Sequence, residues 1–155
     1  MRLRDGVVGD AALAAAIQEH ASVAGLAHIF PPERYPYPRA EIRERWEGLF
    51  GAGEHRVLVA ERDGEAVGVL AVRSGWLDGL YVAPESWGTG VAAALHDAGL
   101  EQLRSLGETA CRLWVLEENM RARRFYERRG WELDGRTRVV PYPPRPLDVG
   151  YTIRL

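Results

Sequence analysis

The amino-acid sequence predicts a single α/β domain over residues 1–155, in which a mixed sheet follows the element order βααβββαβαββ. Three observations carry that prediction. "RVLVAER" and "EAVGVLAVR" flank Asp63-Gly64, a dipeptide suited to a tight two-residue turn, so residues 56–62 and 65–73 form a hairpin. A helical stretch over 89–106 lies between the apolar runs "LYVA" and "LWVLE", which is how two parallel strands are joined by a crossover. The chain has 155 residues, 46% hydrophobic and 27% charged, which is enough for one core and short for two.

The elements follow in order. "MRLRDG" is a short first strand ending at a turn, and Asp10 caps a helix in which Leu13, Ile17 and Ala21 recur at helical spacing. "HIFPPERYPYP", rich in proline and aromatic residues, is a loop of restricted flexibility. Ile42, Trp46 and Leu49 mark the second helix over 39–50, which "GAG" closes. After the hairpin, "WLDGLYVA" is a further strand, and the helix over 89–106 takes Leu95, Leu100, Leu103 and Leu106 as apolar positions. "ACRLWVLE" is a strand, residues 119–129 form a helix ending at Gly130, and "WELDGRTRVV" and "DVGYTIRL" are the last strands, joined by "PYPPRP".

Composition narrows the function. The net charge of −2 supplies no basic field for nucleic acid or an anionic membrane, and all 20 basic residues are arginine. No apolar stretch is long enough to span a bilayer, and no targeting segment is visible, so a cytoplasmic protein is expected. Cys111 stands alone in an apolar run and reads as a core residue; His20, His28, His55 and His96 lack metal-ligand spacing.

The informative stretch is "WGTGVAAAL", residues 87–95, directly after "LYVAP". The first amides of a helix lack intrahelical partners and, with the helix dipole, favour an anion. Gly88 and Gly90 remove side chains that would fend off a phosphate, and Ala92, Ala93 and Ala94 keep the first turn slim. A tight strand-to-helix turn explains the same glycines, and Gly88-x-Gly90-x-x-Ala93 also fits a dinucleotide fingerprint with Glu117 as the ribose acid. A nicotinamide-dependent reductase is therefore one alternative. Against it, this unit comes late in the chain, with only one helix and a hairpin to follow.

With these residues in view, the chain resembles the GCN5-related N-acetyltransferases. "LYVAPESWGTGVAAAL" matches a strand, a proline and Q/R-x-x-G-x-G/A opening a helix, with Trp87 in the Gln/Arg place, Gly90 as the glycine and Ala92 as the last small residue. "LWVLEENMRARRFYERRGWE" carries Asn119, Ala122, Phe125, Tyr126 and Gly130 in the order N-x-x-A-x-x-F-Y-x-x-x-G. The element order fits over essentially the whole chain. The resemblance implies a mostly antiparallel, twisted sheet with a splayed parallel pair in the middle, flanked by four helices.

The resemblance further implies acetyl-CoA as co-substrate and no metal. The donor's contacts would fall on Leu80, Tyr81 and Val82, whose free backbone pairs with pantetheine, and on the turn Trp87, Gly88, Thr89, Gly90, Val91, Ala92 and Ala93, which holds the pyrophosphate. Asn119, Ala122, Arg123 and Tyr126 complete them, with Arg123 or Arg124 reaching the ribose phosphate. Tyr126 would protonate the leaving thiolate as a neutral amine attacks the thioester directly. A non-catalytic acyl-CoA-binding module of the same fold is the other alternative.

A protonated amine must lose its proton before attack, so a carboxylate or a water chain is needed. Asp78 is a catalytic candidate, sharing a strand face with Leu80 and Val82 if simple alternation holds, though the resemblance implies a bulge in this strand that would alter it; Glu117 and Glu118 are the others. Phe30, Tyr35, Tyr37 and Tyr142 in the two stiff loops, with Glu117, are expected to wall the acceptor pocket for a small amine or a peptide N-terminus. Members of the family are often homodimers, and no strand here identifies an interface.

Overall fold

The computed structural model describes residues 1–51 and 53–155; Ala52, in the expected helix-closing "GAG", lies outside them. The strands are β1 (Arg2–Asp5), β2 (Arg56–Arg62), β3 (Glu65–Arg73), β4 (Trp76–Val82), β5 (Ala110–Leu116), β6 (Glu132–Val139) and β7 (Leu147–Arg154). The helices are α1 (Ala11–Gly25), α2 (Arg39–Gly51), α3 (Val91–Ser105) and α4 (Met120–Arg128), with short 3-10 turns at Val8–Asp10 and Pro84–Ser86. The strands form one sheet in the order β1-β2-β3-β4-β5-β7-β6. All pairings are antiparallel except β4 with β5.

This is the expected mixed sheet. It has one parallel pairing, whereas a dinucleotide-binding domain needs a run of parallel strands. The β4–β5 join is minimal, with one register pair, Trp76 opposite Arg112, and the Arg112 N–H donating to the Gly75 carbonyl at 2.9 Å. Beyond that rung the strands diverge toward their carboxyl ends. The Ala83 N–H bonds to the Val67 carbonyl at 2.9 Å, so by alternation Leu80 and Val82 turn their backbone groups into the gap.

Side-chain alternation divides the core between the two faces. On one, Leu70, Val72, Leu113, Val149 and Tyr151 pack with Leu95, Leu100 and Leu103 of α3 and Tyr126 of α4. On the other, Val57, Val59, Val69 and Ala71 pack with Ala11, Ala14 and Ile17 of α1 and Ile42 and Trp46 of α2. The fully buried Trp46 donates its indole N–H to Gln18 Oε1 at 2.8 Å, which satisfies a polar side chain that α1 carries into this layer.

Several sequence expectations shift in detail. Asp10 precedes α1 as foreseen, but its carboxylate accepts from the Val7 amide at 2.8 Å and from both terminal nitrogens of Arg4, and caps no amide of α1. The third helix begins at Val91, because residues 88–90 form the turn before it. Leu106 lies beyond that helix and is exposed. Cys111 is fully buried, and burial pushes its thiol up to about 12, far from a reactive thiolate.

Candidate active site

The turn between β4 and α3 owes its shape to its glycines. Gly88 and Gly90 have φ of +73° and +88°, a region that a side chain makes costly, and a Cβ on either would project into open space. Ala94 is the first residue to bond into α3, its N–H to the Gly90 carbonyl at 3.0 Å. The amides of Val91, Ala92 and Ala93 therefore have no intrahelical partner. Thr89 stays local, its hydroxyl donating to the Ser86 carbonyl at 2.6 Å.

A groove of about 450 Å³ opens over this turn. Val82, Gly88, Gly90 and Ala92 wall one side, and Arg121, Arg124, Phe125 and Arg128 of α4, with Arg129 just after it, the other. Guanidinium groups thus face free helix-start amides across one cleft, a field suited to a polyanion. Arg123 departs from expectation. Its Nε donates to the Tyr151 hydroxyl at 2.9 Å and its Nη1 to the Glu117 carbonyl at 2.8 Å, so it ties α4 to the sheet while Arg124 takes the groove.

Trp87 packs within the turn. Its indole N–H donates to the Val82 carbonyl at 2.7 Å, and the Arg121 guanidinium lies 3.4 Å from the ring centroid. One of the two backbone positions expected to be free on β4 thus has its carbonyl engaged by a side chain, while Leu80 keeps its edge toward the gap. Tyr81 turns its ring to the α1/α2 face, edge-on to Trp46.

At the start of α4, Asn119 Oδ1 accepts from the Ala122 amide at 3.3 Å, so its side chain caps the helix, and Ala122 packs against the core behind it. Tyr126 lies one helical turn further on, buried on the α3/α4 face. Burial pushes its phenol above the ordinary tyrosine range, so it is protonated near neutrality. Among the described residues its hydroxyl has no hydrogen-bond partner.

Asp78 does not share a face with Leu80 and Val82. The β3–β4 register shifts between Ala71 and Val72, leaving Asp78 as the extra residue of a bulge. Its carboxylate turns the other way, where Oδ2 accepts from Arg73 Nε and lies within hydrogen-bond distance of His55 Nε2, both at 2.8 Å. Asp78 and Tyr126 therefore stand on opposite faces of the sheet.

Glu117 and Glu118 follow β5 in a turn with exposed side chains, and His28 Nε2 lies 3.0 Å from the Glu118 carbonyl, joining the loop after α1 to the mouth of the gap. Phe30 and Tyr35 are half-buried in that loop, and Tyr142 is half-buried in the loop between β6 and β7. None of the three rings pairs with another aromatic ring among the described residues, so the structure brings no aromatic box together from them. Tyr37 is drawn into the core beneath α1 and α2.

The sequence reading missed the residues that floor the open side of β5. Trp114 and Trp76 stack with Arg136 and Arg138, and Arg136 reaches them by crossing β7 over Gly150. Asp134-Gly135 in β6 and Gly150 in β7 are the sequence signals: one for a bulge, the other for a close approach.

Comparisons with known proteins agree with this geometry. The model of the acetyltransferase (GNAT) family matches residues 13–131. An uncharacterized N-acetyltransferase from Archaeoglobus fulgidus is 35% identical over 106 residues, 61% of this chain and 72% of that protein. Two other curated relatives are matched over 50% and 54% of their own lengths. A GCN5-related N-acetyltransferase structure from Rhodopseudomonas palustris superposes with a TM-score of 0.76 at 25% identity, covering 99% of this chain and 95% of that one. The PaiA N-acetyltransferase from Thermoplasma acidophilum, solved with coenzyme A, shares the fold with a TM-score of 0.82 at 17% identity, over 99% and 98% of the two chains. With the family model spanning most of its length and the glycine turn, the capped α4 and the single-rung β4–β5 pair in place, the chain belongs to the acetyltransferase (GNAT) family and is an N-acetyltransferase.

Proposed function

We propose that this protein transfers an acetyl group from acetyl-CoA directly to a primary amine of a small molecule or a peptide N-terminus. The observation that carries the reading is the cradle at the start of α3. Left-handed glycines expose helix-start amides to a groove whose far wall is lined with arginine. Both glycines line the groove and a Cβ on either would meet only open space, so the residues fit a pyrophosphate pressed against the backbone. The coenzyme A present in the Thermoplasma acidophilum structure supports the same ligand here.

Bound in this way, the thioester would supply an activated acetyl group. The chain's own residues do the rest. The amides of residues 91–93 and the guanidinium groups of Arg121 and Arg124 hold the anionic end. The gap between β4 and β5 admits a linear chain, with the backbone of Leu80 offering hydrogen bonds along its edge. Tyr126, kept protonated by burial, gives its proton to the departing sulfur. The incoming ammonium loses its proton to Glu117 or to water at the end of β5, because Asp78 is held by Arg73 and His55 on the far side of its bulge.

Thiol release from acetyl-CoA across a panel of primary amines tests the reading, run beside titrations with acetyl-CoA and NADH. Acetyl-CoA binding with amine-dependent thiol release is expected. Binding without release across the panel would leave a non-catalytic module, and tight NADH binding without coenzyme A binding would point to a reductase.

A further inference from the structure

The half-sheet of β5, β7 and β6 has a helix layer on one side. Val149 and Tyr151 point into the core beneath α3 and α4, so by alternation Asp148, Gly150 and Thr152 point to the opposite face. The core beneath α1 and α2 draws its strand residues from β2, β3 and β4, and stops short of this half.

On the uncovered face five side chains alternate: Arg73, Trp76, Arg136, Trp114 and Arg138. Successive guanidinium-to-ring distances are 5.2, 5.2, 4.6 and 4.6 Å. The inner members are well fixed. Arg136 is held by Asp134 through Nε at 2.9 Å, and Asp134 is held in turn by Thr152 at 2.7 Å.

The outer end is different. Arg138 lies over Trp114 and donates Nε to Asp148 Oδ2 at 2.9 Å, yet its side chain is 54% exposed while that of Asp148 is 9% exposed. A carboxylate largely removed from water has as its counter-ion a long side chain that water can reach. Among the described residues, Asp148 Oδ1 accepts no hydrogen bond. Arg138 is the cross-strand partner of Asp148 and engages only Oδ2, while Oδ1 is not among the buried unpartnered atoms, so a second N–H donor can reach it from solvent.

Its place in the fold matters. Asp148 stands opposite Leu116, the last residue of β5, at the end where β4 and β5 have diverged. Asp148 is on the face opposite Tyr126 and one strand beyond the gap, with Leu116 of β5 between, so an amine entering the gap from the uncovered face approaches Asp148 past Leu116.

We propose that Asp148 and the face of Trp114 form the ammonium-binding end of the acceptor site, occupied by Arg138 until an amine displaces it. The proposal rests on the acetyl-transfer reading and names the group that recognises the acceptor. A primary ammonium supplies what Arg138 supplies, N–H donors to Asp148 and positive charge over an indole. An acceptor with a carboxylate at that end meets the charge of Asp148 and is rejected.

The test uses two substitutions whose effects have opposite signs. Benzylamine and alanyl-alanine amide are titrated calorimetrically into the protein saturated with coenzyme A, with acetyl-CoA titrated separately. R138A removes the competitor and is expected to bind both probes about tenfold tighter; D148N removes the anchor and is expected to bind them about tenfold more weakly. Acetyl-CoA binding stays unchanged in both. A purely structural ion pair would move both variants in one direction, and that result overturns the proposal, as does a failure of R138A to bind either probe. Should D148N fail to fold, R138A on its exposed side chain still decides through the sign of its effect. A wild-type protein that binds no acetyl-CoA overturns the acetyl-transfer reading together with this one; normal acetyl-CoA binding with equal effects of the two variants overturns this one alone.

Discussion

Trp87 and Val82 are joined across the turn that precedes α3, the indole N–H of one donating to the carbonyl of the other at 2.7 Å. The residue at which this turn departs from its family's Gln/Arg pattern thus serves as an internal clamp, with Arg121 stacked on its outer face. Trp87→Phe removes the donor while keeping an aromatic ring under Arg121. Loss of one such bond costs about 1 kcal/mol, and because the anion cradle is main-chain, acetyl-CoA affinity should stay within about threefold of wild type. Urea denaturation and a cofactor titration measure the two effects separately.

Gly90→Ala should behave in the reverse manner. A side chain at φ +88° costs about 1–2 kcal/mol, and its methyl group would project into open space at a residue that lines the groove. The expected result is a modest fall in the urea midpoint with a loss of acetyl-CoA affinity well over tenfold. Unchanged affinity would remove the turn from the binding site.

Tyr126→Phe preserves the buried ring and deletes the proton. Turnover should fall by about 10²-fold, the usual scale for a general acid, while the acetyl-CoA dissociation constant is unaltered. Equal turnover would take Tyr126 out of the acid role.

His96 provides a pH dependence. It is a buried residue of α3 packed against Phe125 and Trp131, and the Trp131 indole N–H donates to His96 Nε2 at 2.9 Å, so Nδ1 carries the hydrogen and donates to Asp97 at 2.8 Å. Burial lowers its pKa below the ordinary imidazole value, as expected for a ring that must be neutral to accept from the indole. Below about pH 6.5 the unfolded chain takes up a proton that the folded chain refuses. Stability is therefore intact at higher pH and declines as pH falls through that region, by at most about 1.4 kcal/mol per pH unit from this group. Urea midpoints at pH 7.5 and 5.0 should show a larger drop for wild type than for His96→Gln.

Gly150→Ala addresses the arginine–tryptophan stack. A Cβ there would lie 2.6 Å from Asp134 Oδ1 and 2.7 Å from Arg136 Nη2. Both atoms end flexible side chains, so the protein should fold with Arg136 displaced. A destabilisation of about 1 kcal/mol, with altered tryptophan fluorescence, is expected.

How far the site can be read from sequence depends on how local each determinant is. The β2–β3 hairpin, the glycine turn and the capped α4 are each specified by residues a few places apart, and they stand where their spacing puts them. Asp78 shares the face of Leu80 only under simple alternation, and the bulge that the resemblance leads one to expect in this strand reverses it, although its position leaves little trace in composition. Arg123 and Arg124 are neighbours, and the Tyr151 hydroxyl, 28 residues beyond Arg123, together with the Glu117 carbonyl holds one at the sheet while the other lines the groove. The stack of Trp76, Arg136 and Trp114 draws on three strands far apart in the chain, so nothing local announces it.

The single rung between Trp76 and Arg112 makes the sheet two plates sharing a hinge pin, β1 to β4 on one side and β5, β7 and β6 on the other. A linear ligand laid in the opening would act as a removable eighth strand, supplying hydrogen bonds that the polypeptide omits. Saturation at a hundred times the dissociation constant would add about 2.7 kcal/mol to the folded state. That gain should be felt at the seam, as slowed amide exchange in both Leu80–Val82 and Leu113–Leu116, so that loading the donor also stiffens the frame on which the acceptor is received.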